Sequence, residues 1–132
     1  MTRLGLAVDR EGVTHKVRIR GLDGFITVNC DGDGNPREVF LHGFGNFGVM
    51  MAGWCDTFAI MLSFALQHDV SLTTLAEKFA RQYFEPYGQT DDAEIPYCYS
   101  IPDYVLAHLV NRYGDDDLKK SIAKLREREL PA

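Results

Sequence analysis

Residues 13–42, VTHKVRIRGLDGFITVNCDGDGNPREVFLH, decide the fold. In residues 13–20, Val13, His15, Val17 and Ile19 alternate with Thr14, Lys16, Arg18 and Arg20. That period of two marks a strand with one wet face. Gly21-Leu22-Asp23-Gly24 reads as a turn, and FITVNC at 25–30 is a second strand rich in aromatic and β-branched residues. Asp31 to Pro36 is dense turn chemistry, with glycines that admit positive φ. REVFLH at 37–42 is a third strand. Three strands joined by short turns predict an antiparallel meander.

Outward from this stretch the period changes. The glycine-rich junction Gly43–Gly48 leads into a helix from about Val49 to His68-Asp69, with Trp54, Phe58, Met61 and Ala65 on one stripe. Ser71 caps a second helix carrying Leu72, Leu75, Ala76 and Phe79. Residues 84–99 form a proline-containing loop, and Ser100 with Asp103 opens a helix that buries Val105, Leu106, Leu109 and Tyr113. After Gly114, acids at 115–117 start a last helix that runs to about Leu130. Its narrow stripe, Leu118, Ile122 and Leu125, suits the domain edge or a second subunit. Strands first and helices after predict an α+β fold: a small antiparallel three-stranded sheet followed by a helical C-terminal half. The chain divides into an N-terminal segment (1–12), an α+β domain (13–114) and a C-terminal helix (115–132). A sheet of three strands has two open edges, and this predicts a homo-oligomer.

Composition narrows the function. With 132 residues the chain makes one domain that can bury a core without staples. A net charge of −5 argues against a nucleic-acid partner, though two or three local cations can still hold a small anion. Cys30, Cys55 and Cys98 are scattered, without a CxxC pair, which predicts reduced thiols in a cytoplasmic protein and no metal site. Residues 1–11 lack the apolar core of a signal peptide. Phe47–Leu66 is apolar except for Asp56; an Asp in mid-span costs about 3 kcal/mol in a bilayer, so a fully buried core helix is expected and no membrane. Asp56 is then expected to cap the glycine junction or to pair with a cation.

The residues also carry a family likeness. THKVRIRGLDGFITVNCDGDGNPREVF, then GWCDTFAIMLSFALQHDVSLTTLAEKF, then RQYFEPYGQTDDAEIPYCYSIPDYV resemble, in order and spacing, the C-terminal domain of vitamin B12-dependent ribonucleotide reductases. The likeness runs from about Thr14 to Tyr113. It implies a shared fold and a setting in nucleotide metabolism. In that family the radical chemistry and the cobalamin belong to a catalytic barrel, and the reductive tail uses paired cysteines; neither is present here, so the resemblance implies no activity and no cofactor. Asp91-Asp92 stands where the family often has Asn. Ala107 and His108 stand where an arginine is common, which leaves Arg112 as the cation for any phosphate at that helix.

The candidate site residues follow from these readings. His15 and Lys16, with Arg18 and Arg20 nearby, are either a cationic patch for phosphate or a solvated strand face with one packed His. Gly43–Gly48 is a strand-to-helix turn or an anion cradle without Walker spacing. Around the proline-containing loop, Phe84 or Tyr87 is placed to stack on a base, Arg81 to meet phosphate, and Thr90 or Asp92 to meet a ribose hydroxyl; otherwise the aromatics pin the loop to the core. No acid/base or nucleophile order stands out, and His42, His68 and His108 read as structural.

Two functions are consistent with this. The first is a non-catalytic binding protein that sequesters a nucleotide or nucleotide-derived signal. Its layout is similar to that of phage anti-Thoeris sponge proteins, a fold-level analogy. The second is an accessory piece of a split reductase.

Overall fold

The computed structural model describes residues 6–44 and 48–127. Strands β1 (Gly12–Ile19), β2 (Leu22–Cys30) and β3 (Pro36–His42) form an antiparallel sheet in that spatial order. His15 pairs with Ile26, which pairs with Leu41, and Val13 with Val28, which pairs with Val39. The register gathers the apolar parity of all three strands on one face, while Thr14, Lys16 and Arg18 stay on the other. Gly24 is required here: a Cβ would stand 2.2 Å from the ring of buried Phe44, which lies across the strand.

Helices α1 (Val49–Gln67), α2 (Leu72–Phe79), α3 (Ile101–Tyr113) and α4 (Asp116–Arg126) follow, with the short pair β4 (Gly88–Gln89) and β5 (Tyr97–Cys98) inside the segment read as loop. The α+β architecture therefore matches the sequence reading. The caps are as the residues dictate. Ser71, Ser100 and Asp115 each accept a hydrogen bond from the backbone N–H three residues on. Helix α3 is the centre of the core; Val105, Leu106 and Leu109 are wholly enclosed and Tyr104 nearly so. The predicted end of the last helix near Leu130, and residues 45–47 of the glycine junction, lie outside the described residues.

Two expectations are corrected. The first concerns the sheet edges, which are partly covered. On β3, the backbone N–H of Val39 donates to the Ser63 hydroxyl (2.9 Å), the same hydroxyl donates to the Val39 carbonyl (3.2 Å), and the Gln67 amide donates to the Arg37 carbonyl (3.1 Å). On β1, Arg20 N–H donates to the Gln89 carbonyl (2.9 Å), and Arg18 exchanges bonds with Asp91, N–H to carboxylate at 2.8 Å and carbonyl from N–H at 3.1 Å. Side chains of α1 and the 89–91 segment thus supply partners along part of each edge, which narrows the argument from bare edges to an oligomer.

The second concerns α1, which is not fully buried. Its small residues Cys55, Ala59 and Ser63, with Leu62 and Leu66, face the sheet, whereas Trp54 is 66% exposed and Met61 68%. The predicted stripe is divided: Phe58, edge-on to Phe79 at 5.7 Å, and Ala65 pack against the core, while Trp54 and Met61 point away from it. Asp56 is exposed, so it needs no buried partner. By length and apolar composition α1 would suffice to cross a bilayer, but its inner face is committed to β3.

Candidate functional site

His15 belongs to the inward parity of β1, near the open end of the sheet, and it meets the side of α3 there. The Tyr104 hydroxyl lies 2.7 Å from His15 Nε2 and donates to Asp92 Oδ2 at 2.6 Å. With its one proton given to the carboxylate, the hydroxyl accepts from His15 Nε2–H. His15 Nε2 is also 3.5 Å from Asp92 Oδ2, and the His108 ring stacks on His15 at 4.3 Å. Tyr104 and His108 stand four residues apart on one face of α3, so a single helix delivers both rings.

Asp92 is held from its own side. Its Oδ1 accepts from Glu94 N–H (2.9 Å), and its N–H donates to the Thr90 hydroxyl (3.1 Å), which in turn donates to the Ile95 carbonyl. Burial raises the Asp92 carboxyl, but the Tyr104 hydroxyl, the Glu94 N–H and His15 outweigh it and hold the group below the usual carboxylate range. Burial, then the hydrogen bond to Asp92 and its charge, pushes the Tyr104 hydroxyl far up. Burial, then His15 and Arg112, lowers His108 to about 4, so it is neutral at physiological pH. The arrangement is a short chain that can hold a proton between an imidazole and a carboxylate through a phenol. His15 and Asp92 keep 27% and 15% of their side-chain surface in solvent, so the chain is reachable from outside.

A second polar centre lies beside it, on the first turn of α3. The fully enclosed Asp103 carboxylate accepts from Arg81 N–H (2.6 Å), Tyr99 N–H (3.0 Å) and both arms of Arg126 (3.1 and 2.9 Å). Arg126 also reaches the Tyr97 carbonyl at 2.8 Å. This centre ties α2, β5, α3 and α4 together.

The residues proposed from sequence are not brought into one site. His15 lies on the inner face of β1, Lys16 and Arg18 on the outer, and both cations lean on Asp23, at 3.8 and 2.9 Å. The patch that grouped all three fails because neighbouring strand residues point to opposite faces. Arg81 sits with its guanidinium 5.1 Å over the Tyr99 ring. Phe84 lines an apolar groove beside α1. Tyr87 stacks on Tyr83 at 4.5 Å under the guanidinium of Arg20, and its hydrogen bond raises Tyr83 to about 12. Thr90 and Asp92 turn inward to the chain described above. Arg112 is exposed at a cleft of about 640 Å³ shared with Arg10 and Tyr113. Base, phosphate and ribose partners are therefore dispersed over three surfaces. Among the described residues no group of three or more His, Cys, Asp and Glu is placed to hold a metal ion. Sequence reading missed Tyr104, Asp103 as more than a cap, and Arg126. It read His108 as structural, and the signal available for pairing it was its spacing of four from Tyr104.

Comparison with known proteins converges on one family. The model of the TSCPD domain matches residues 6–113. A vitamin B12-dependent ribonucleotide reductase of Streptomyces avermitilis is 37% identical over 107 residues, 81% of this chain and 11% of that protein. The protein of the same name from Streptantibioticus cattleyicolor is 37% identical over 107 residues, 18% of its length. That of Rhodopirellula baltica is 35% identical over 96 residues, 73% of this chain and 9% of its own length. The chain thus spans between about a tenth and a fifth of these relatives. No solved structure matches it. The match across most of the chain, over the whole sheet and the first three helices, shows that this protein belongs to the TSCPD domain family.

Proposed function

We propose that this chain serves as a non-catalytic accessory module of a vitamin B12-dependent ribonucleotide reductase, bound to a catalytic polypeptide and supporting its assembly. The observation that supports this reading is the 37% identity to a stretch that makes up 11% of such a reductase. In those relatives the stretch is one part of a far longer polypeptide, so a surface turned toward the remainder is part of its setting. The polar groups of this chain favour a structural role, since Asp92, Thr90, Asp103 and Arg126 are engaged with one another. The comparisons lend nothing to sequestration of a nucleotide signal.

The test is binding to a B12-dependent reductase polypeptide from which its own matching stretch has been deleted. Complex formation by gel filtration, with reductase activity restored on adding this chain, is the expected result. No complex at tens of micromolar of both components would remove the proposal. Turnover of a nucleotide by this chain alone, or a nucleotide that raises its melting temperature and comes back unchanged, would redirect it to an enzyme or to a binding protein.

A further inference from the structure

Helix α1 carries two apolar faces, and the fold uses one. On the other, Met50, Trp54, Ile60, Met61 and Phe64 are all exposed. Together with Thr57 between them and Phe84 alongside, they present on the order of 800 Å² of largely apolar surface. A typical monomer shows no patch larger than roughly 300–600 Å², and about 800 Å² is what each partner gives to a stable interface.

The pattern of sizes on this face identifies what covers it. Thr57 is its midpoint. An antiparallel second α1 related by a two-fold axis at Thr57 keeps each flank with itself, so Trp54 comes beside Met61 of the copy and Ile60 beside its Gly53. Large residues then meet along one flank, and on the other the Ile60 side chain meets the position without a side chain. Gly53 has no reason within this chain: a Cβ there would meet nothing within 4 Å. A helix-interior glycine costs about 1 kcal/mol relative to alanine. Charge permits the same pairing. In a chain of net charge −5, α1 bears a single charged residue, Asp56, which lines the groove toward β3 together with Ile60 and Phe64 and lies apart from Trp54 and Met61. The rest of the outer face is uncharged, and the two Asp56 side chains flank the crossing on one side. We infer that this chain forms a symmetric dimer through the outer face of α1, with the α1 helices antiparallel and crossing at Thr57. The partner is a second copy, the one surface sure to carry the matching sequence of sizes.

The experiment uses the whole chain and no reductase, so its outcome is independent of the accessory role proposed above. Sedimentation equilibrium from about 1 to 100 µM is expected to give twice the 14.9 kDa chain mass. Trp54 is the sole tryptophan, so its emission should shift to the red on dilution as the dimer parts. Met61→Glu should raise the dimer Kd roughly 30-fold or more while leaving the circular dichroism and melting of the monomer intact. Gly53→Leu should weaken association likewise, and it adds a good helix former, so loss of fold cannot explain the effect. A wild-type chain that stays monomeric at 100 µM would overturn the inference. So would a dimer that both variants leave unchanged, or a monomer that instead floats with phosphatidylcholine–phosphatidylglycerol vesicles.

Discussion

Arg126, eleven residues into the last helix, holds the fully enclosed carboxylate of Asp103 with two nitrogens, at 3.1 and 2.9 Å. The C-terminal helix is thereby anchored on the first turn of α3 and is no loose appendage. Asp103→Ala strands a guanidinium and two backbone N–H groups in the interior, and a loss of about 3–5 kcal/mol is expected. Urea unfolding followed by circular dichroism measures it; a change under about 1 kcal/mol would show that the centre is dispensable.

How much of this was legible beforehand differs by element. The three strands, the caps at Ser71 and Ser100 and the acidic start of the last helix are local properties, written in alternation and in single side chains; they appear as read, except that β2 begins at Leu22, inside the stretch read as turn. The orientation of α1 is not local. Periodicity finds the stripe through Trp54 and Met61 but cannot tell which of two apolar faces will meet β3; tertiary packing takes the face with Cys55, Ala59, Leu62 and Leu66. The polar chain joins His15, Asp92 and Tyr104, whose contacts span up to 89 positions, so no window along the sequence contains it. Parity alone placed His15 inward, and that signal outranked its adjacency to Lys16.

Stability should depend on pH through His108. Its folded-state value of about 4 lies below the 6.5 of the unfolded chain, so the unfolded chain takes up the proton first. Stability is complete above pH 6.5 and falls as pH drops toward 4, by about 2 kcal/mol between pH 7.5 and 5. Asp31, lowered to about 2 mainly by its bond from Arg37, adds its loss only in stronger acid. Replacing His108 by Leu should flatten the decline above pH 5 in denaturant unfolding; an unaltered slope would assign the decline to another group.

Ser63→Ala should cost about 1–3 kcal/mol, since it leaves the N–H and carbonyl of buried Val39 on an edge that no water reaches. Hydrogen exchange at Val39 is the local readout: the amide should lose protection well beyond that of Ile26 in the central strand. Equal protection at both would mean that the hydroxyl is not what closes this edge.

The thiols should differ in reactivity. Burial raises Cys55 to about 11 and Cys98 to about 12, while Cys30 is half-buried at the end of β2. Iodoacetamide at pH 8 is expected to modify Cys30 alone in the folded protein, with Cys55 and Cys98 following only in denaturant. Mass spectrometry of the alkylated peptides decides the order, and early labelling of Cys98 would contradict the packing of β5 against α3.

Gly24→Ala should destabilise by about 1–3 kcal/mol, because the added methyl collides with the Phe44 ring and the strand has no slack to yield. The compensating change Phe44→Leu should recover part of the loss, and thermal melting of the two variants and their combination measures the coupling.

The Ser63 and Gln67 bonds to β3, and the 89–91 segment along β1, have a consequence beyond stability. Backbone groups already bonded within the chain are not free to pair with a strand from a neighbour, so at Arg37, Val39 and Arg18 the ladder cannot be extended by another chain.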